Sequence, residues 1–200
     1  NEDRSWLSKK IIAFFTWCAA LLAHRVIAVA KSDADALQKQ PFLKKKVRHI
    51  PNGIEFAGYD RQTAREIIRN TLSDTNAHKR LSQATWIGTV AELHRNKGHR
   101  YALEALVELR QQYPSAAYIL IGEGELETEY KTFVREQNLE GHVFFTGFIP
   151  DATMLYSAFD IYLSPSIKEG LPYTIIEAMA GGIPIVASSV GDIPNMIAHR

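Results

Sequence analysis

The sequence predicts an α/β protein with a parallel sheet covered by helices on both faces, a doubly wound, Rossmann-like fold. From residue 26 onward, short apolar runs alternate with stretches that repeat apolar residues at helical spacing. Runs such as AAYILIG (116–122) are apolar at consecutive positions, which is typical of strands buried on both faces. Gly, Pro and charged residues concentrate in the loops after these runs, where such folds bind ligands.

The first third of the chain predicts three elements around one long apolar run. RVIAVA (25–30) and VRHI (47–50) are short strand-like runs, and SDADALQK (32–39) begins with a Ser/Asp capping signal for a helix. The run from Ile11 to Ala23 is too short to span a bilayer alone, so we expect a buried helix, with a helix lying on a membrane surface as the alternative. PNGIEF (51–56) has the composition of a turn.

The rest of the chain continues the alternation. Apolar periodicity indicates helices at 61–72, 99–113, 126–138, 151–159 and 172–182, the last with a proline in its first turn and glycine at its end. Apolar runs between turn residues indicate strands at 84–90, 116–122, 142–148, 160–166 and 183–188.

Composition excludes several classes of protein. The formal net charge of +1 provides no basic field for nucleic acid. One cysteine, Cys18, excludes an internal disulfide framework and fits a reducing compartment. The seven histidines are scattered without zinc spacing, and neither a G-x-S-x-G element nor a P-loop occurs. We therefore predict no metal site and no protein nucleophile.

The stretch KEGLPYTIIE (168–177) carries two carboxylates around a helix start. Gly170 and Pro172 predict a turn into a helix whose first free amides suit a phosphate or a sugar hydroxyl. Glu169 lies at the edge of this turn and is suited to neutral hydroxyls. Glu177 follows Pro172 by roughly 7.5 Å along the helix, and a carboxylate there accepts two hydrogen bonds from a vicinal diol such as that of ribose. On spacing alone, a capping Glu169 and a solvated Glu177 explain the pattern equally well.

Two further loops contain candidate phosphate contacts. In HRNKG (94–98), Arg95 and Lys97 lie between a strand and a helix, which suits contact with phosphate, although a solvated basic loop has the same composition. GEGE (122–125) has two glycines but no third at the spacing that binds dinucleotides, so a tight turn explains it as well.

Several segments together resemble the retaining GT-B glycosyltransferases that use nucleotide-diphosphate sugars. In family order they are IPNGIE (50–55), IGTVAELHRNKG (87–98), YILIGEGEL (118–126), FTGFIPD (145–151), YLSPSIKEGLPYTIIEAMAGGIPIVAS (162–188) and GDIP (191–194). The fairly specific part is the E-x7-E element formed by Glu169 and Glu177. The resemblance implies one lobe of a GT-B fold and metal-independent sugar transfer with retained configuration, without a cofactor.

The resemblance also implies residue roles. Glu177 would bind the donor ribose, and Lys97, with Arg95 nearby, would neutralise the diphosphate. Glu169 would hold the sugar. The backbone of the four residues that follow it would hold the phosphates; these are Gly170, Leu171, Pro172 and Tyr173. Phe148 and Ile149 would pack beside the base.

Two positions depart from the family pattern. Glu92 stands where the family usually has an arginine, and the segment Gly191-Asp192-Ile193-Pro194-Asn195 replaces its usual Gly-Gly-x-x-Glu.

The same resemblance predicts the domain organisation. Residues 1–50 would be the end of an N-terminal acceptor-binding lobe and residues 51–200 a donor-binding lobe truncated at its end, so we expect the chain alone to be inactive. The expected partners are a nucleotide-sugar donor and a sugar or lipid-linked acceptor, with peripheral contact to the inner face of a membrane from the cytoplasm.

Two other functions stay open. One is a nucleotide-sugar-binding module without catalysis. The other is a dinucleotide-dependent Rossmann enzyme, which needs a third glycine after GEG and an acidic residue closing the next strand; HVFFTGF (142–148) has no such acid.

Overall fold

The structure, a computed structural model, describes residues 6–55 and 57–197. Outside the described residues lie 1–5 and 198–200, which belong to the two predicted domains, and Phe56, which belongs to the predicted turn. The chain divides into two compact units. One extends to Gly53 and includes the C-terminal residues from Asn195, and the other is Ile54–Pro194.

The first unit contains two helices and a two-stranded parallel sheet. Its elements are α1 (Trp6–Leu22), β1 (Val26–Ala28), α2 (Lys31–Gln38) and β2 (Val47–His49). Val26 pairs with Val47 across the sheet. A small apolar core forms beneath it, where Ala34 and Leu43 are completely buried. The Lys46 ammonium donates to the Ala23 carbonyl at 2.9 Å and thereby satisfies a free carbonyl at the end of α1.

The predicted burial of the apolar run 11–23 is wrong. The run forms most of α1, but Ile11, Phe14 and Phe15 are 48%, 57% and 65% exposed. Apolar residues occur on all sides of this helix, whereas the small core contacts one stripe of it, which includes Trp17. Within the described residues, no helix combines the length and hydropathy that crossing a bilayer requires.

The second unit is built around a five-stranded sheet. Its helices are α3 (Arg61–Asn70), α4 (Thr75–Leu81), α5 (His99–Gln112), α6 (Glu127–Glu136) and α7 (Tyr173–Ala180); α8 (Ile193–Met196) ends the described secondary structure. Its strands are β3 (Thr85–Val90), β4 (Ala116–Ile121), β5 (Val143–Gly147), β6 (Ile161–Ser164) and β7 (Ile185–Ala187). Two 3-10 helices, Arg95–Lys97 and Ala152–Ala158, follow β3 and β5. The sequence did not predict α4, a seven-residue helix capped by the Asp74 carboxylate, which accepts from the Asn76 amide.

The strand order confirms the doubly wound fold. All neighbouring strands are parallel, in the order β5-β4-β3-β6-β7. The chain proceeds outward from β3 to β5 and then returns to β6 on the other side of β3. The direction of winding therefore reverses between β3 and β6, and in such sheets the ligand crevice lies outside the carboxyl ends of the strands at that point.

A charged cluster fixes α3 against the amino end of β6. Asp160 accepts from Arg61 at 2.6 Å, from Arg65 at 2.7 Å and from the backbone amide of Trp86 at 2.8 Å. Arg65 also lies over the fully buried Trp86 ring. The cluster therefore connects α3, β3 and β6 at the edge of the sheet opposite the crevice.

Candidate functional site

The loops that follow β3 and β6 are packed directly against each other. Gly98 has a φ of +67°, and a Cβ atom there would lie 2.0 Å from the Pro165 carbonyl oxygen. The Ile167 amide donates to the Asn96 carbonyl at 2.8 Å. Because a side chain at position 98 would separate the loops, glycine places the 3-10 turn Arg95–Lys97 against the segment after β6.

This packing brings Lys97 and Glu169 together. The Lys97 ammonium lies 2.7 Å from Glu169 Oε1, and the Ser166 hydroxyl donates to the same oxygen at 2.8 Å. The side chains of Lys97 and Glu169 are 31% and 10% exposed. Glu169 is thus held in a defined position, and the ammonium lies where parallel sheets of this type bind their ligands.

The segment at Glu169 is also held from the end of the unit. Gly191 has a φ of +57°, and a Cβ atom there would lie 2.3 Å from the Glu169 carbonyl oxygen. The Asp192 amide donates to the Gly170 carbonyl at 3.0 Å. These contacts give a physical reason for glycine at position 191.

The start of α7 lies one residue later than predicted. Pro172 is the N-cap, with φ −74° and ψ 117°, and Tyr173 is the first helical residue. Proline lacks an amide hydrogen, so both positions suit it and the sequence alone does not separate them. No side chain caps this helix start, where Leu171 is half-buried and Tyr173 is exposed.

A cavity of about 610 Å³ opens at the carboxyl ends of β3 and β4. Both predicted base contacts line it: Ile149 is 8% exposed and Phe148 is 69% exposed. Its lining residues are Val90, Ala91, Glu92, Ile121, Gly122, Glu123, Phe148, Ile149, Asp151, Ala152, Thr153, Thr174 and Glu177. All the charged residues among them are acidic, so this cavity disfavours an anion and suits a group that donates hydrogen bonds.

Glu177 projects from α7 into the wall of this cavity. It also lines a smaller cavity of about 270 Å³, together with Asp151 and Glu55. The hydroxyl of the fully buried Tyr156 donates to Glu177 Oε2 at 2.7 Å. Burial raises the pKa of Tyr156 far above its ordinary range, so the hydroxyl keeps its proton.

Residues around position 92 differ from the pattern that the resemblance implies. Glu92 is exposed and lines the larger cavity, and its carbonyl lies 2.9 Å from His99 Nε2. His99 is fully buried, and its Nδ1 has no hydrogen-bond partner among the described residues. Burial lowers the pKa of His99, which favours the neutral ring with Nε2 as the donor. Arg95 is exposed and takes no part in the Lys97–Glu169 ion pair.

Sequence reasoning did not identify four residues of this site. Tyr156 and Ser166 hold the two glutamates, Glu123 accepts from the Phe148 amide at 3.2 Å, and Asp151 lines both cavities in a left-handed conformation. Asp151 and Glu123 follow apolar strands, and that position was a usable signal. In the sequence, Tyr156 resembles any aromatic residue of the core, and no sequence signal distinguishes it from those residues.

No group of three His, Cys, Asp or Glu residues in the described parts of the chain is arranged to hold a metal ion.

Comparison with known proteins identifies a family. The family model described as glycosyl transferases group 1 matches residues 84–200. The amylovoran biosynthesis glycosyltransferase AmsK of Erwinia amylovora is 38% identical over 128 residues, 60% of this chain and 31% of that protein. A UDP-Gal:alpha-D-GlcNAc-diphosphoundecaprenol alpha-1,3-galactosyltransferase of Escherichia coli is 25% identical over 190 residues, 91% of this chain and 48% of that protein.

The fold is shared with solved structures. HepE of Anabaena, crystallised in complex with UDP, has a TM-score of 0.71 and 23% identity, covering 88% of this chain and 48% of that one. This likeness confirms the predicted α/β fold of the GT-B class. The chain spans about a third of the length of the first curated relatives that it matches, such as AmsK.

Proposed function

Because the chain belongs to the group 1 glycosyl transferases, we propose that it provides the donor-binding part of an enzyme that transfers a sugar from a nucleoside diphosphate sugar to an acceptor. The observation that carries this proposal is the arrangement at one edge of the sheet. An acid-lined cavity lies at the carboxyl ends of the strands, and Glu177 is part of its wall. The Lys97–Glu169 ion pair lies at the same edge of the sheet. One relative is named for UDP-Gal and a similar solved structure contains UDP, so a uridine donor is the first to test.

Charge determines the direction in which the donor binds. The four carboxylates around the cavity, on Glu92, Glu123, Asp151 and Glu177, repel a diphosphate but accept from the hydroxyls and N–H groups of a nucleoside. The diphosphate therefore lies outside the cavity, toward Lys97, with Arg95 available nearby. The base lies between Phe148 and Ile149.

The proposed roles follow this direction. Glu177 accepts from the ribose hydroxyls, and the amides at the start of α7 face the phosphates, since that helix start has no side-chain cap. Glu169 accepts from hydroxyls of the transferred sugar. As the sugar leaves, Lys97 stabilises the developing charge on the diphosphate, which is the larger part of the catalysis. We propose transfer with retention of configuration and without a metal ion.

The acceptor belongs to the proposal as well. The Escherichia coli relative is named for an acceptor linked to diphosphoundecaprenol. A sugar or lipid-linked acceptor, reached at the cytoplasmic face of a membrane through peripheral contact, is therefore our proposal for this protein. Since the chain spans about a third of relatives such as AmsK, we propose that residues 1–50 contribute to acceptor binding and residues 51–200 bind the donor. The chain alone would then bind the donor without transferring it.

The test is calorimetric titration with UDP, GDP, ADP and uridine. We expect one diphosphate to bind more tightly than its nucleoside. Glu177→Gln should weaken that diphosphate by about 1.5–3 kcal/mol and leave its 2′,3′-dideoxy form unchanged, because only the diol donates to the carboxylate. Equal losses for both ligands would place Glu177 away from the ribose, and absence of binding by all three diphosphates would contradict the function.

One observation favours a second candidate, a nucleotide-sugar-binding module without catalysis. Glu92 stands where an arginine would otherwise assist the diphosphate, and its charge disfavours the leaving group. Such a module binds UDP-sugar and does not hydrolyse it. Slow hydrolysis of UDP-sugar by this chain, lost in Lys97→Met, would exclude the module.

A further inference from the structure

Tyr156 occupies a position that core packing alone does not explain. Its ring is fully buried in the 3-10 helix Ala152–Ala158, 6.3 Å from the Phe159 ring and 5.2 Å from the Tyr162 ring. A Cβ atom at Gly181, just after α7, would lie 3.2 Å from the Tyr156 Cβ atom. The residue is therefore packed against β6 and against the end of α7, and in this position its hydroxyl reaches the Glu177 carboxylate.

The hydroxyl acts on Glu177. It donates to Oε2 at 2.7 Å, and this is the one hydrogen bond that the Glu177 carboxylate makes among the described residues. Oε1 therefore keeps its capacity to accept. Since burial and the neighbouring Tyr162 raise the pKa of Tyr156, its proton stays in place at every pH at which the protein is handled.

Glu177 needs such a restraint because of where it lies. Its side chain lines two cavities, one of about 610 Å³ and one of about 270 Å³, which share Asp151 and Thr153. A glutamate has three side-chain torsions, and ordering them on ligand binding costs rotamer entropy. A hydrogen bond from a fixed donor orders the carboxylate in the free protein, so less entropy is lost when the ligand binds. Preorganisation of this kind raises affinity and selectivity.

We infer that Tyr156 is a positioning residue for donor selectivity: its hydroxyl fixes Glu177 through Oε2, so that Oε1 is presented to the ribose hydroxyls in the larger cavity. This inference rests on the proposed ribose contact of Glu177. It adds that selectivity for a diol depends on a hydroxyl that touches no part of the donor.

The experiment compares two ligands, UDP and 2′,3′-dideoxy-UDP, by calorimetry on the full chain. The quantity measured is the ratio of their dissociation constants, in the wild type and in Tyr156→Phe, Glu177→Gln and the double variant. Tyr118→Phe is the matched control, because Tyr118 is equally buried and the hydroxyl that it loses lies 2.9 Å from the Thr89 hydroxyl instead of bonding Glu177. Thermal unfolding of each variant reports the structural cost separately.

We expect Tyr156→Phe to reduce the wild-type preference for UDP roughly three- to tenfold, the size of one hydrogen bond. The affinity for dideoxy-UDP should not change. The double variant should match Glu177→Gln, since Tyr156 acts through that carboxylate. Tyr118→Phe should lower the unfolding temperature without changing the ratio.

Two outcomes separate the failures. If Glu177→Gln leaves the ratio at its wild-type value, the ribose contact itself is wrong, and the inference falls with it. If Glu177→Gln removes the preference but Tyr156→Phe keeps it, the ribose contact stands and the positioning role is overturned. Should Tyr156→Phe not fold, 4-fluorophenylalanine at position 156 fills the space of the hydroxyl without donating, and 4-aminophenylalanine restores a donor. The preference for UDP must fall in the first variant and be retained in the second.

Discussion

Replacing Lys97 with methionine tests the proposed diphosphate contact. Methionine keeps most of the length of the side chain and removes its charge. A charge-assisted hydrogen bond to phosphate contributes about 1.5–3 kcal/mol, which is lost. The change also leaves Glu169 without the ammonium that lies 2.7 Å from it, with Ser166 as its remaining partner.

The unpaired Glu169 adds a second penalty. Two unit charges about 6 Å apart repel by roughly 3 kcal/mol at an effective dielectric constant of about 20. The Lys97 side chain is 31% exposed, so water and salt reach the pair and we reduce this repulsion to about 1 kcal/mol. Lys97→Met should therefore weaken UDP binding by about 2.5–4 kcal/mol, roughly 70- to 900-fold. Adding Glu169→Gln should recover about 1 kcal/mol, roughly fivefold.

Calorimetry at two salt concentrations measures these differences. Uridine carries no phosphate and should bind all variants equally. Lys168→Met is the matched control, because Lys168 is exposed and adjoins Glu169 in the chain. Equal weakening of uridine and UDP by Lys97→Met would show that the substitution distorts the site as a whole. A double variant that binds UDP no better than Lys97→Met would show that Glu169 does not act through its charge.

Three further predictions concern other parts of the second unit. Glu169→Gln should weaken UDP-sugar relative to UDP by about 1.5–3 kcal/mol in calorimetry, since only the intact donor presents the sugar hydroxyls; an equal effect on both ligands contradicts that role. Asp160→Ala should lower the free energy of unfolding in urea by about 2–4 kcal/mol, because it leaves the Trp86 amide and the Nη2 group of Arg65 without their acceptor. Asp160→Asn keeps an acceptor oxygen and should cost less; the reverse order would contradict this account. The folded-state pKa of His99 is lowered, so its contribution to stability is complete above a pH of about 6.5 and is lost as the pH falls through the folded-state pKa. Urea unfolding of wild type and His99→Phe across this range should show a smaller loss in the variant, and parallel curves would exclude His99 as the cause.

The sequence predicted those parts of the fold that depend on local pattern. The strand at 116–122 was recognisable because every residue of β4 is buried, which requires a continuous apolar run. The run 11–23 in α1 is also almost continuously apolar, and its burial was predicted wrongly. Burial depends on what covers a helix, and the core of the first unit covers one stripe of α1. The composition of a helix indicates that its apolar side chains tend to be buried. It does not show whether another part of the protein packs against them.

In the candidate site, too, sequence motifs indicated some residues and the fold alone revealed others. Glu169, Glu177 and Lys97 became candidates because the segments that contain them resemble a glycosyltransferase family in their order along the chain, whereas spacing and composition alone left solvated side chains as an equal explanation. Their partners were not found, because Ser166 and Tyr156 are ordinary residues whose importance depends on the atom that they contact. Tyr156 and Glu177 are 21 positions apart, and no periodicity connects a 3-10 helix with the next long helix. Candidate ligand contacts can thus be proposed from a family's motifs, whereas the residues that hold those side chains in place are identified by distances in the folded chain.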